Sequence, residues 1–117
     1  MAKEEVNQNI LRVMGMIYSF RIDSFVWDKF EEECEKIGLT KSECLRRAIV
    51  WVYRNNYYKF TATRITGKTT SIVIDEALDD LIKTYAKYKG IYPSDVARLA
   101  VLAFLTEDKC KKFVEVY

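Results

Sequence analysis

The chain has 117 residues, 50% of them hydrophobic and 31% charged, with a formal net charge of +2. That is the balance of one folded domain, too short for two ordinary ones and too apolar for a disordered chain. The absence of histidine excludes Ser-His-Asp and Cys-His catalysis and histidine-ligated zinc or haem.

The N-terminus, residues 1–9, is polar and carries Lys3, Glu4 and Glu5, unlike a signal peptide. The longest uninterrupted apolar run, Leu99 to Leu105, covers seven residues, where a membrane span needs about twenty. A cytoplasmic protein that does not engage a membrane is therefore expected. Cys34, Cys44 and Cys110 are an odd number at wide spacings with no CxxC pair. They read as small apolar core side chains in a reducing compartment, not as a disulfide framework or metal site. No cofactor is expected.

In chain order, Met16 to Ile22 reads as a strand, rich in β-branched and aromatic residues. Its even positions, Met16, Tyr18, Phe20 and Ile22, form the more apolar face. Asp23 supplies a helix N-cap. Val26, Phe30, Cys34 and Ile37 then follow at helical spacing, and Gly38 suits the left-handed residue that ends a helix. A second helix opens at Thr40, where Thr40-Lys41-Ser42-Glu43 has the capping-box pattern, and runs through Leu45, Ala48, Ile49 and Val52.

The plan then repeats. A shift of 52 residues aligns 10–53 with 62–105 without a gap and makes ten pairs identical. Among them are Gly15/Gly67, Ser19/Ser71, Asp23/Asp75, Gly38/Gly90, Ser42/Ser94 and Arg46/Arg98. The second copy has a strand from Thr69 to Ile74, a cap at Asp75, and a helical stripe of Leu78, Ile82, Tyr85 and Ala86. Gly90 stops that helix and Pro93 occupies a first helical position. The expected divisions are a first unit over 10–54, a basic connector over 55–67, a second unit over 68–106 and a charged tail over 107–117. The closing Phe113-Val114-Glu115-Val116-Tyr117 alternates as a short extra strand would.

Residues 44–74 contain no Asp or Glu and hold Arg46, Arg47, Arg54, Lys59, Arg64 and Lys68 among aromatics such as Trp51, Tyr57 and Tyr58. A basic run interleaved with aromatics is a nucleic-acid footprint, although an ordinary solvated surface explains it equally well.

The order strand–helix–helix, with the turn Gly38-Leu39-Thr40-Lys41-Ser42-Glu43 and Arg46 after it, resembles the ribbon-helix-helix family of DNA-binding regulators (MetJ/Arc type). The resemblance covers about 16–53 and, in a degraded copy beginning Gly90-Ile91-Tyr92-Pro93-Ser94-Asp95, about 68–105. It implies a mainly α fold with a β-ribbon. Two βαα units would pair their strands antiparallel, backed by four helices, and the ribbon would enter the DNA major groove. Most members are homodimers with one unit per chain, so a tandem copy leaves open whether the strands pair within one chain or between two.

With the even face inward, Ile17, Ser19 and Arg21 point outward, as do Thr69, Ser71 and Val73. These six are the candidate base contacts, against the plainer reading of a solvated sheet face. Thr40, Lys41 and Ser42, with Ser94 at the second copy and Lys68 nearby, are the candidate phosphate contacts, because a helix N-terminus presents free N–H groups to an anion. The expected function is sequence-specific binding of double-stranded DNA as a transcriptional regulator, such as a repressor, and not catalysis.

The competing function is an assembly or interaction protein, antitoxin-like or a scaffold. Its support is a second helix apolar on every side from Val96 to Leu105, with Arg98 the lone charge. Such a helix is buried all round, so Val50, Trp51, Leu99 and Leu102 should meet either a tail or another chain, and a homo-oligomer is expected. Residues 62–69 mimic a Walker A loop with alanine in place of the first glycine, but a strand follows Lys68 where a P-loop needs a helix. Glu31, Glu32, Glu33 and Glu35 lie on the polar face of the first helix, where solvated charges belong.

Overall fold

The computed structural model describes residues 15–59 and 67–117. The N-terminal segment 1–14 and residues 60–66 of the connector, Arg64 included, lie outside the described residues. Within them the order is β1 (Met16–Ile22), α1 (Ser24–Lys36), α2 (Lys41–Arg54), β2 (Lys68–Ile74), α3 (Glu76–Lys89), α4 (Pro93–Thr106) and α5 (Asp108–Val116).

The two strands form a two-stranded antiparallel sheet within one chain. Ser19 faces Ser71, Met16 faces Ile74, and Ile22 faces Lys68. Ser19 and Ser71 are also equivalent positions of the 52-residue repeat, so the repeat acts as an approximate twofold axis through the middle of the ribbon. Gly15 and Gly67 open the two strands at equivalent places. A Cβ on Gly15 would collide with the carbonyl oxygen of Ile74, and one on Gly67 with that of Ile22. Close backbone approach explains both glycines, and it removes the phosphate-loop reading of Gly67. Lys68 and Thr69 stand in β2, as strand residues.

The caps follow the sequence closely. Asp23 accepts a hydrogen bond from the Val26 backbone N–H at 3.0 Å, and Asp75 accepts from that of Leu78 at 2.7 Å. Gly38 and Gly90 take positive φ values of 76° and 69°. The following residues close the helix ends, Leu39 N–H donating to Cys34 and Ile91 N–H to Ala86, a pairing that satisfies carbonyls the helix leaves free. The capping box is divided between the copies. Thr40 Oγ1 accepts from Glu43 N–H at 3.1 Å, but the Glu43 carboxylate turns to Arg46 and Arg47. In the second copy it is the Asp95 carboxylate that accepts from Tyr92 N–H, at 3.0 Å.

One core serves both units. Phe20, Ile22, Ile72 and Ile74 line the inner face of the ribbon, all 5% exposed or less. Beneath them Trp27 stacks on Phe30 at 5.1 Å between centroids, and Phe30 meets Phe104 edge-on at 5.3 Å. The buried stripe of α1 is centred on Trp27, Phe30 and Cys34, with Val26 and Ile37 at its margin. The three cysteines are free and buried. Burial pushes the Cys110 thiol up to about 12, and a hydrogen bond with Cys44, together with burial, raises Cys34.

The end of the chain corrects the expected short strand. Residues 108–116 form α5, a fifth described helix where four were expected, and it packs against α2 and α4. Cys110 and Val114, four residues apart, are fully buried, with Phe113 beside them. The alternation of Phe113, Val114 and Val116 matches a strand over too short a window. The period that governs is the four-residue spacing of Cys110 and Val114. Arg47 donates to the Val114 carbonyl at 2.7 Å, and Arg54 lies over the rings of Phe113 and Tyr117. Within the single chain Trp51 and Leu99 are 9% and 5% exposed, while Val50 and Leu102 stay half-buried. No described helix is long and apolar enough to cross a membrane.

Candidate nucleic-acid interface

Alternation along β1 and β2 sends one set of side chains into the core and leaves the other set outside. The outer set is Ile17, Ser19 and Arg21 on β1, with Thr69, Ser71 and Val73 on β2. Ile17 is 76% exposed and Val73 40%; Ser19, Arg21 and Thr69 are exposed and Ser71 is half-buried. The register arranges these six as three rungs, Ile17 against Val73, Ser19 against Ser71, and Arg21 against Thr69. Tyr18, on the inner side, is mostly buried. Burial pushes its phenol up to about 12, only partly opposed by Arg98.

The Arg21 guanidinium makes no ion pair among the described residues; its one hydrogen bond is a long one, 3.4 Å, to the Gly67 carbonyl. Asp23, the nearest acid in sequence, is occupied as the α1 cap. Arg21 is thus an exposed five-donor fork, most of whose donors meet no acceptor among the described residues.

Each edge of the ribbon is held by the opposite unit's second helix. On the β2 edge, Val73 N–H donates to Ser42 Oγ at 3.0 Å and the Val73 carbonyl accepts from Arg46 at 2.7 Å. On the β1 edge, Arg98 donates to the Arg21 carbonyl at 2.8 Å. Arg46 and Arg98 are repeat equivalents, as are Arg21 and Val73, so the two locks are reciprocal. They also occupy groups that would otherwise offer a pairing template to another strand. Two arginines of identical ancestry differ in burial, however. Arg98 is 7% exposed and binds Ser94 Oγ at 2.9 Å and Asp95 at 2.7 Å as well, whereas the Arg46 side chain is 32% exposed. The Glu43 carboxyl is held below the usual range, first by its hydrogen bond with Arg46 and, against some burial, by Arg47.

The candidate phosphate residues are brought to the two flanks of the ribbon. Thr40 and Ser42 stand at the start of α2 beside β2, and Ser94 stands at the start of α4 beside β1. The three hydroxyls are already acceptors, for Glu43 N–H, Val73 N–H and Arg98 respectively. Each still has its own O–H to donate. Lys41 is exposed, with its ammonium 5.9 Å from the centroid of the Trp27 ring. Lys68 pairs with Asp28 of α1 at 3.0 Å across exposed positions, a contact of the kind worth about 1 kcal/mol or less.

The basic, aromatic run does not form one face. Arg46 is a ribbon lock, Arg47 caps α5, Arg54 stacks on Phe113 and Tyr117, and Trp51 packs on Tyr57 at 5.4 Å. Arg46 and Arg98 are the residues that sequence reasoning missed. Their identity across the repeat was the available signal. Among the described residues no group of three or more His, Cys, Asp or Glu is placed to hold a metal ion. Comparisons with protein-family models, with curated proteins and with solved structures find no match to this chain.

Proposed function

We propose that the chain is a sequence-specific binder of double-stranded DNA, a transcriptional regulator that inserts its ribbon into the major groove and acts by binding, not by catalysis. On this reading it is a single-chain ribbon-helix-helix protein, both units being supplied by one polypeptide. The observation that carries the proposal is the intrachain ribbon with, on its outer face, an Arg21 that has no ion partner among the described residues, and a helix N-terminus on each flank. The major groove admits a two-stranded ribbon, and an outward guanidinium can bond guanine O6 and N7 together. The flanking helix starts, with Thr40, Lys41, Ser42 and Ser94, offer N–H and O–H donors to the phosphates on either side. Lys68 joins them by exchanging Asp28 for a phosphate.

The proposed place of action is the cell interior, where duplex DNA is found and three free thiols stay reduced. What argued most strongly for an assembly protein was the all-round apolar second helix, and α5 of the same chain now covers part of it. A further copy of the chain remains the second proposed partner, with Phe25, Tyr88 and Tyr92 as exposed apolar side chains available to it.

Binding to genomic DNA fragments across a salt series tests the reading. A regulator shows tight, sequence-dependent binding that falls steeply with salt; no binding at low salt would remove it. Arg21→Ala should cost about 1–3 kcal/mol on the preferred site and much less on random DNA. Equal losses on both would make Arg21 a phosphate contact. Lys41→Ala, by contrast, should weaken all duplexes alike and lower the salt slope by about one.

A further inference from the structure

We propose that the ribbon reads DNA in one orientation only, on a site whose ends differ in kind, guanine beneath one end of the ribbon and thymine methyls beneath the other. This rests on the DNA-binding reading above and specifies its substrate. The strand register carries it. The approximate twofold axis passes through Ser19 and Ser71, so in a ribbon of two identical strands the rungs on either side would hold the same pair of residues. Here they do not. One side has Arg21 facing Thr69, and the other has Ile17 facing Val73.

The inner positions differ between the copies as well, Phe20 standing where the other has Ile72 and Tyr18 where it has Thr70, but only the outward rungs can meet a base edge. Beneath them Arg46 holds the Val73 carbonyl and Arg98 the Arg21 carbonyl, so each edge is fixed at the equivalent backbone group. The inner face is filled by Phe20, Ile22, Ile72 and Ile74, so Ile17, 76% exposed, is not required by the core. At a rise of about 3.3 Å per residue, the four residues from 17 to 21 span about 13 Å, roughly four base-pair steps of about 3.4 Å.

Each end then has its own chemistry. Arg21 supplies the paired donors that match guanine O6 and N7, and the Thr69 hydroxyl beside it tolerates several partners. The Ile17–Val73 rung offers no donor or acceptor. Pressed against base edges, it would strip water from polar groups without replacing their hydrogen bonds. The thymine methyl is the one major-groove feature that suits it. A duplex turned end for end would set Arg21 over methyls and Ile17 over guanine, losing at both ends. One orientation follows.

Selection from a library of random duplexes, run in parallel with the wild-type chain and Val73→Arg, tests this. Val73 is the repeat equivalent of Arg21 and stands outward on the ribbon, so the substitution equips both ends with a guanidinium without touching the core. The wild-type chain should enrich a non-palindromic consensus, guanine on one flank and thymine about four steps away. Val73→Arg should enrich a near-palindrome with guanine on both flanks and prefer it to the wild-type site by roughly tenfold or more. Should Val73→Arg fail to fold, Arg21→Val gives the complementary reading, loss of guanine from the consensus with the thymine end retained. A palindromic consensus for the wild-type chain overturns the oriented site while leaving DNA binding intact. Enrichment of no sequence by either protein removes the DNA-binding reading and this proposal with it.

Discussion

Arg98→Ala should lower the stability of the folded chain by about 3 kcal/mol, a fall in Tm of roughly 10 °C for a domain of this size. The guanidinium is 7% exposed and holds three acceptors at once, the Arg21 carbonyl, Ser94 Oγ and the Asp95 carboxylate. Truncation removes the partner of an acid whose side chain is only 30% exposed, and it opens a cavity beside α4. Losing one member of a buried ion pair is costly because the other charge stays behind. Arg46→Ala, at the equivalent position of the first copy, should cost only about 1 kcal/mol, since water can replace the bonds of a 32% exposed side chain. Thermal denaturation of the two variants side by side is the measurement. Equal costs would mean that burial does not distinguish the two locks. Arg98→Met, which fills the volume without the charge, should recover part of the loss if Asp95 is substituted by Asn in the same chain.

Val114→Asp should be at least as damaging, destabilising the chain by about 3–5 kcal/mol. Val114 is fully buried between α5 and the helices it covers, and the guanidinium that bonds its carbonyl, that of Arg47, is already paired with Glu43. A carboxylate at that position must draw Arg47 away from Glu43, bind a proton, or drive α5 off. If α5 leaves, the faces of α2 and α4 on which it packs become exposed, and apolar patches of that kind favour self-association. Urea denaturation at pH 7 together with light scattering reads both effects. If the segment after Thr106 were a solvated charged tail, the substitution would be nearly silent, so this variant separates the two descriptions of the C-terminus. Val116→Asp, at an 83% exposed position of the same helix, is the control and should change little.

The ribbon was legible in the sequence because period-two alternation is a local property. Ile17, Ser19 and Arg21 could be assigned outward from Phe20 and Ile22 alone. The same holds for the caps at Asp23 and Asp75 and for the stops at Gly38 and Gly90, where the chemistry involves residues two to four positions away. The first-helix stripe held at Phe30 and Cys34 and differed at its start, where Trp27, packed on Phe20 and Phe30, is buried and Val26 lies at the margin. The C-terminal helix was misread. Five residues are too few to separate a period of two from one of 3.6 when apolar side chains are adjacent.

By itself the sequence determined the duplication, the order strand–helix–helix in each copy, the two faces of each strand and the residues that cap and end the helices. All of these follow from spacing along the chain or from comparison of one half with the other. Only the tertiary structure decided that the strands pair within one polypeptide, and that they pair in the register that sets Ser19 against Ser71. It alone turned Arg46, a member of the basic run, and Arg98, the lone charge of an apolar helix, into locks on the opposite strand's edge, and it laid α5 over the second helices. These facts join residues 27 to 77 positions apart. Their energies come from packing and hydrogen bonds between distant segments, which no local pattern encodes.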